Sequence, residues 1–359
     1  METFSVKFKA GSLDLAAIVT AFDHHQQFKV EMITREPEPI RLKRSVKGQW
    51  TVVQRGSRNL SDLDFESLEQ AIDARMDEVY GVKTMLILTD FSETSLNAAD
   101  YAARLTHQLQ TTKMILYHSY ASLMTPPNLS GMVSSGFIDS PEGGPEKMVE
   151  LKNALLNVVA GRTEIEMRSD GRSLVTAVNT LVQQQDIGLV ITGTTGENRL
   201  EKVLIGSNAI RLVEESIAPV LIVPPATNFK TIKKVVFACD LQQVSKTTPL
   251  LAIKTFVHTI KAKLLVLNVA PNGGDLDPGL MEELVDLPGL WDQQKPEYHA
   301  TRQEDIASGI MEFATQQEVD LVITVPKVYG FFESIFHRSL TKKLAYHSRL
   351  PLLLFREDI

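Results

Sequence analysis

Leu189-Val190-Ile191-Thr192-Gly193-Thr194-Thr195-Gly196, followed after nine residues by Gly206-Ser207-Asn208, returns 132 positions later as Leu321-Val322-Ile323-Thr324-Val325-Pro326-Lys327-Val328 and Arg338-Ser339-Leu340. The two stretches align without a gap, and Glu201, Ser207, Ser216 and Pro219 are matched by Glu333, Ser339, Ser348 and Pro351. A short apolar run bounded by turn residues reads as a buried strand, and the Ser-rich start that follows reads as a helix opening. The chain therefore carries one strand-to-helix unit twice. Only the first copy holds the set Gly-x2-Gly-x9-Gly-Ser; Val325, Val328 and Arg338 stand where Gly193, Gly196 and Gly206 stand. The second copy reads as one that has kept the fold and dropped a task.

Outward from this unit, residues 83–225 alternate apolar strands with amphipathic helices, the signature of βαβ units and a parallel sheet. Strands are expected at 85–88, 114–118, 163–167, 189–192 and 220–223, and helices at 95–109, 146–159, 172–184 and 207–215. The order recurs over 231–356, with strands at 235–238, 264–268, 321–324 and 352–355 and a first helix at 249–260. Asp90 and Asp240 each follow a first strand, at an offset of 150 rather than 132, so the first copy carries about 18 extra residues. They are expected in 121–145, a stretch rich in Pro, Gly and Ser that reads as a long loop over the strand ends. Residues 1–80 differ. Period-two alternation at 4–8, 28–32, 40–42 and 50–53, then a helix with Phe65, Leu68, Ile72 and Met76 at helical spacing, predicts a small antiparallel sheet with one helix across a face.

The totals narrow the function. A length of 359 residues supports two or three domains. A net charge of −7 disfavours non-specific binding to nucleic acid or anionic lipid. Cys239, the single cysteine, excludes an intrachain disulfide and any multi-cysteine metal site and fits a reducing compartment. The start shows no signal-peptide pattern and no stretch is long and apolar enough to span a bilayer, so the expectation is a cytoplasmic location with no membrane partner.

The glycine set points to anion binding. Gly193 is expected at the carboxyl edge of a parallel strand, where open α/β sheets place ligands. Gly196 continues the turn, and Gly206, Ser207 and Asn208 open a helix whose first amides are unpaired and partly positive. Glycine there lets a phosphate approach the backbone itself. The alternative, that these are turn and cap glycines, is weakened by the second copy, which makes the same turns without them.

At this point the chain resembles the universal stress protein family. The resemblance rests on Thr89-Asp90-Phe91-Ser92-Glu93-Thr94 after the first strand, Tyr117-His118-Ser119 after the second, and Gly193-x2-Gly196-x9-Gly206-Ser207, which is similar to the family's ATP-binding signature. It covers about residues 83–356 as tandem domains and leaves residues 1–80 outside. It implies an α/β fold of two Rossmann-like domains, 83–225 and 231–356, each a five-stranded parallel sheet flanked by helices. It further implies ATP, with Mg2+, held in the first domain: Gly193, Gly196, Gly206, Ser207 and Asn208 on the phosphate side, Asp90 at the adenosine end and the backbone of Ser119 against adenine. The family's usual residue at Ser119 is Val. The second domain resembles the nucleotide-free branch, with His337-Arg338-Ser339 in place of Ile205-Gly206-Ser207. The family's dimers imply that the two domains pair within one chain as a pseudo-dimer, through 220–223 and 352–355.

Other candidates read as structural. Arg199 and Lys202 lie in the glycine loop but are solvent-facing by default, the eight histidines show no metal-ligand spacing, and Cys239 reads as buried and inert. Arg41, Lys43, Arg44 and Lys47 near Trp50 read as one solvated strand face. No Walker lysine, nucleophile elbow or kinase signature is present. The leading expectation is thus a regulatory ATP-binding protein of the stress-response type with an unidentified protein partner. The rival readings are a slow ATP hydrolase or phosphoryl or adenylyl transferase, and an interaction scaffold acting through residues 1–80.

Overall fold

The computed structural model describes residues 2–22, 27–34, 38–44, 50–120, 144–194, 207–239, 248–270, 296–325 and 350–356. Gly196, Arg199, Lys202, Gly206, the loop 121–143, Asp240, Val328 and Arg338 lie outside them. Two sheets organise the chain. The first is antiparallel, with β1 (Glu2–Ala10), β2 (Leu13–Phe22), β3 (Gln27–Met32), β4 (Ile40–Arg44) and β5 (Trp50–Gln54) side by side in sequence order. Strand β2 is one the alternation did not reveal. Its outward positions Ala16 and Ile18 are apolar too, which blurs the period-two signal.

Helix α1 (Asp62–Tyr80) closes one face of this sheet, where Phe65, Leu68 and Ile72 meet Val6, Val19, Phe28 and Leu42 in a core of its own. Its start is a reciprocal cap. The Asp64 amide donates to Ser61 Oγ at 3.3 Å and the Ser61 amide to Asp64 Oδ2 at 2.8 Å. Asp64 Oδ1 also accepts the Gly11 amide at 2.8 Å, tying the helix start to the β1–β2 turn, where Gly11 supplies the positive φ of 59°.

The second sheet has ten strands: β6 (Thr84–Leu88), β7 (Lys113–Ser119), β8 (Glu164–Asp170), β9 (Ile187–Gly193), β10 (Val220–Val223), β11 (Lys234–Ala238), β12 (Lys263–Ala270), β13 (Glu297–Arg302), β14 (Leu321–Thr324) and β15 (Leu352–Leu354). Across the sheet they run β8-β7-β6-β9-β10-β15-β14-β11-β12-β13, so each half has the same order outward from the centre. Within a half every pair is parallel; the halves join where β10 and β15 run antiparallel, Leu221 opposite Leu353. The registers repeat as well. Met85 faces Leu189 in the first half and Val235 faces Leu321 in the second, which is the gapless match read from the sequence.

Helices cover both faces. On one lie α2 (Glu93–Leu109), α3 (Gly144–Val159) and α6 (Leu250–Thr259), and on the other α4 (Leu174–Gln185), α5 (Ser207–Glu215) and α7 (Ile306–Gln316). Each face forms one apolar cluster that continues through both halves. Val223, Leu221 and Leu353 belong to the first, Ile222, Val220 and Leu352 to the second. Polar clamps reinforce the join: Gln108, near the end of α2, donates to the carbonyls of Ile232 at 2.6 Å and Ile260 at 2.8 Å and accepts the Ile232 amide at 3.0 Å. Asn97 donates to the Pro224 carbonyl at 3.3 Å, and the Tyr101 and Phe229 rings meet edge-on at 5.1 Å.

Leu353 is fully buried at the seam. Leu353→Ala should therefore lower stability by about 2–5 kcal/mol, measured by urea unfolding of the whole chain. A loss below about 1 kcal/mol would show that the join carries little of the core.

Candidate functional site

The first half changes winding direction between β6 and β9, and a crevice at the carboxyl ends of these strands is where a doubly wound sheet binds ligands. The residues that close β6, β7, β8 and β9 meet there. Thr89 leaves β6 with its amide on the Tyr117 carbonyl at 2.9 Å, and its hydroxyl accepts the Phe91 amide at 3.0 Å. Phe91 sits at φ 64°, a left-handed conformation that is strained for a bulky residue. Its ring stacks on His118 at 4.6 Å, and Lys147 Nζ of α3 stands 5.8 Å from its centroid.

Asp90, between these two, is exposed. Its Oδ1 accepts both the Ser92 amide at 3.0 Å and the Ser92 hydroxyl at 2.5 Å. Burial of part of the carboxyl works to raise its pKa, but the Ser92 hydrogen bonds, aided by Ser95, outweigh it and hold Asp90 below the usual carboxylate value. Ser92 is also the N-cap of α2, accepting the Ser95 amide at 3.3 Å. Asp90 is thus an ionised group fixed at the positive end of a helix.

Strand ends β7 and β8 are stitched together. The Tyr117 hydroxyl donates to Asp170 Oδ1 at 2.9 Å, the Tyr120 amide to the Asp170 carbonyl at 3.1 Å, and Ser119 Oγ to the Arg172 carbonyl at 2.9 Å. The hydroxyl that Ser119 adds in place of the usual Val is therefore engaged within the protein. Arg172 donates to Asp170 Oδ2 from Nε at 2.9 Å and from its amide to Oδ1 at 2.9 Å. Burial opposes this carboxylate, yet Arg172 and Tyr117 together hold its pKa low; burial first, and Asp170 second, push the Tyr117 phenol up. The Thr89 carbonyl accepts from His118 Nδ1 at 2.8 Å, which places the proton on that nitrogen.

Gly193 ends β9, and its surroundings add a packing reason for glycine. A Cβ there would lie 2.6 Å from the Thr94 carbonyl oxygen and 2.9 Å from its carbon, so the first turn of α2 leaves no room for a side chain. Val325 is buried in the same apolar cluster that Ile191 joins. At this position the glycine of the first copy is a packing requirement. Ser207 and Asn208 are the first described residues of α5.

The structure thus brings Asp90, Ser119 and Gly193 to one sheet edge, with Ser207 and Asn208 in the helix that follows β9. Sequence reading missed the Tyr117–Asp170–Arg172 group, because the third strand was expected to stop before Asp170. An Asp at a strand end next to Gly171 and a basic residue is the signal that was available. In the second half Asn268 takes the register place of His118 and donates to the Cys239 carbonyl at 3.1 Å, while nothing corresponds to the Tyr117 phenol, since Leu267 replaces it.

Residues 81–224 match the model of the universal stress protein family. Among solved structures, a universal stress protein from Archaeoglobus fulgidus DSM 4304 aligns with TM-score 0.55 and 17% identity, covering 77% of this chain and 97% of its own. A functionally unknown protein from Pseudomonas aeruginosa PAO1 aligns at TM-score 0.55 and 13% identity over 79% of this chain and 95% of its own. A putative universal stress protein from Pseudomonas aeruginosa UCBPP-PA14 gives TM-score 0.55, 13% identity, 78% and 95%. These alignments show a shared fold over more of the chain than residues 81–224 supply. No curated protein matches.

Two outcomes follow from the geometry. Gly193→Ala should cost about 1–3 kcal/mol in chemical unfolding, because backbone rather than a flexible side chain occupies the new Cβ position; unchanged stability would refute the close approach. Asp90 and Asp170 both have depressed folded values, so their stabilisation is present above the unfolded carboxylate value of about 3.9 and is lost as pH falls through the lower folded values. Asp170→Asn should accordingly flatten the acid side of the thermal stability profile below about pH 4. An acid limb identical to wild type would contradict the assignment.

Proposed function

Since residues 81–224 belong to the universal stress protein family, we propose that the chain is an ATP-binding regulatory protein of the stress-response type, with one nucleotide held at the carboxyl edge of β6, β7 and β9. The observation that carries this is Asp90: an exposed carboxylate, kept ionised by Ser92 and standing at the winding switch of a parallel sheet. Asp90 takes the ribose hydroxyls. The backbone at Ser119 lies along adenine, and the stitching of Ser119 and Tyr120 to Asp170 and Arg172 keeps that edge rigid before ligand arrives. Gly193, Gly196 and Gly206 shape the turn into α5, and the amides of Ser207 and Asn208 face the phosphates.

The residues present fit this group in charge and placement, with a helix N-terminus for the anion and a carboxylate for the sugar. Mg2+ would be bound through the phosphates, since among the described residues no cluster of three acidic, His or Cys ligands stands ready. The tandem reading extends this: residues 83–225 are the equipped domain, residues 231–356 an unequipped copy in which Arg338 matches Gly206 in sequence, and residues 1–80 a separate unit. Binding rather than turnover is the favoured activity, because the residues at the edge hold and orient and none is a base placed for a nucleophile. No helix among the described residues is long and apolar enough to cross a membrane.

Titration calorimetry of the full chain with MgATP should give one site, and saturating nucleotide at a hundred times its dissociation constant should stabilise the protein by about 2.7 kcal/mol. Gly206→Arg, which copies the second half, should abolish both effects while its ligand-free melting temperature stays within a few degrees. Two sites per chain, or wild-type binding by Gly206→Arg, would overturn the reading.

A further inference from the structure

The outer face of the N-terminal sheet, opposite α1, carries Lys7 and Lys9 on β1, Lys29 on β3, and Arg41 and Lys43 on β4, against the carboxylates of Asp14 and Glu31. The register makes this arrangement unfavourable for the fold by itself. Lys29 and Arg41 are direct cross-strand partners, and like charges so placed repel. Lys29 is relieved by Glu31 at 2.8 Å, and Lys9 faces Asp14 across β1 and β2. Among the described residues no carboxylate reaches Arg41 or Lys43. A second irregularity falls at the same place: the β4–β5 ladder slips between Arg41 and Leu42, pairing Arg41 with Gln54 and Leu42 with Val52, so that Val53 is the extra residue of a bulge. Bulges re-aim side chains and recur beside binding sites. Val53 is 62% exposed, and Ile18, on the same face, 43%.

We propose that this face docks an acidic, partly apolar segment of a partner protein. Arg41 and Lys43, two residues apart, project about 6.8 Å from one another and Lys29 lies about 4.8 Å across the ladder. That spacing matches carboxylates at alternate positions of an extended peptide, whose apolar side chains flanking the acidic stretch would cover Val53 and Ile18. A polynucleotide would bring the same charge but is less suited, because it would leave the exposed side chains of Val53 and Ile18 uncovered; Trp50 is turned inward against Phe28 at 4.9 Å. The basic face lies on a chain of net charge −7, so the field that steers an acidic partner is confined to this sheet. The inference does not depend on nucleotide binding.

The test uses the full chain, a fluorescein-labelled twelve-residue peptide with Glu at alternate central positions and Val at both ends, and a labelled dT12 oligonucleotide, read by fluorescence anisotropy. The peptide is expected to bind, more weakly as salt rises, and R41E/K43E should weaken it at least tenfold while K230E, in the exposed link between the halves, leaves it unchanged. Circular dichroism and thermal melting establish that R41E/K43E is folded, and R41Q/K43Q, which removes charge without reversing it, gives an intermediate loss and replaces it if it is not. Absence of peptide binding, equal loss in K230E, or binding unaltered by both double variants would overturn the proposal. Tighter binding of dT12 than of peptide, lost in the same variants, would overturn it in favour of a nucleic-acid surface.

Discussion

The antiparallel contact between β10 and β15 is the constraint on which the large sheet depends. Each half ends in a short apolar strand, and an exposed strand edge of Leu, Ile and Val would be a site of uncontrolled pairing. Here the two edges satisfy one another, Leu221 opposite Leu353, and the apolar clusters on both faces run through the seam without a break. Because the pairing is antiparallel, the carboxyl ends of the two halves point in opposite directions. The candidate site and its counterpart are thereby held at opposite edges of one sheet and share no residue.

The same seam gives α2 a double role. Its first turn is pressed against Gly193 and carries the caps that organise Asp90, while Gln108 near its other end is bonded to the linker at Ile232 and to α6 at Ile260. The small residues Ala98, Ala99, Ala102 and Ala103 on its buried side let it lie close to the sheet. One rigid helix therefore sets the position of the site and the docking of the second half, and a change that shifts one must be accommodated by the other.

Much of this was legible in the sequence because it rests on periodicity and repetition. The gapless match of Leu189–Thr192 with Leu321–Thr324 predicts equivalent strands, and the two occupy equivalent registers. The helix expected over 207–215 is α5 (Ser207–Glu215). Less visible was whatever depends on contacts between distant segments. Strand β2 hid its alternation behind outward Ala16 and Ile18, and the Tyr117–Asp170–Arg172 group joins positions more than fifty residues apart. Gly193 shows the limit most clearly. Its replacement by Val325 reads as a lost ligand contact when only the two copies are compared. The close approach of the Thr94 carbonyl to Gly193 is a contact across the chain that no single position reports.

The central claim, one nucleotide across the carboxyl edge of the first half, is most directly tested by hydrogen–deuterium exchange of the full chain with and without MgATP. Nucleotide should slow exchange in peptides covering residues 88–95, 117–120 and 193–209 and leave residues 238–250 and 324–340 unchanged. Protection in the second half, or at neither edge, would contradict the account.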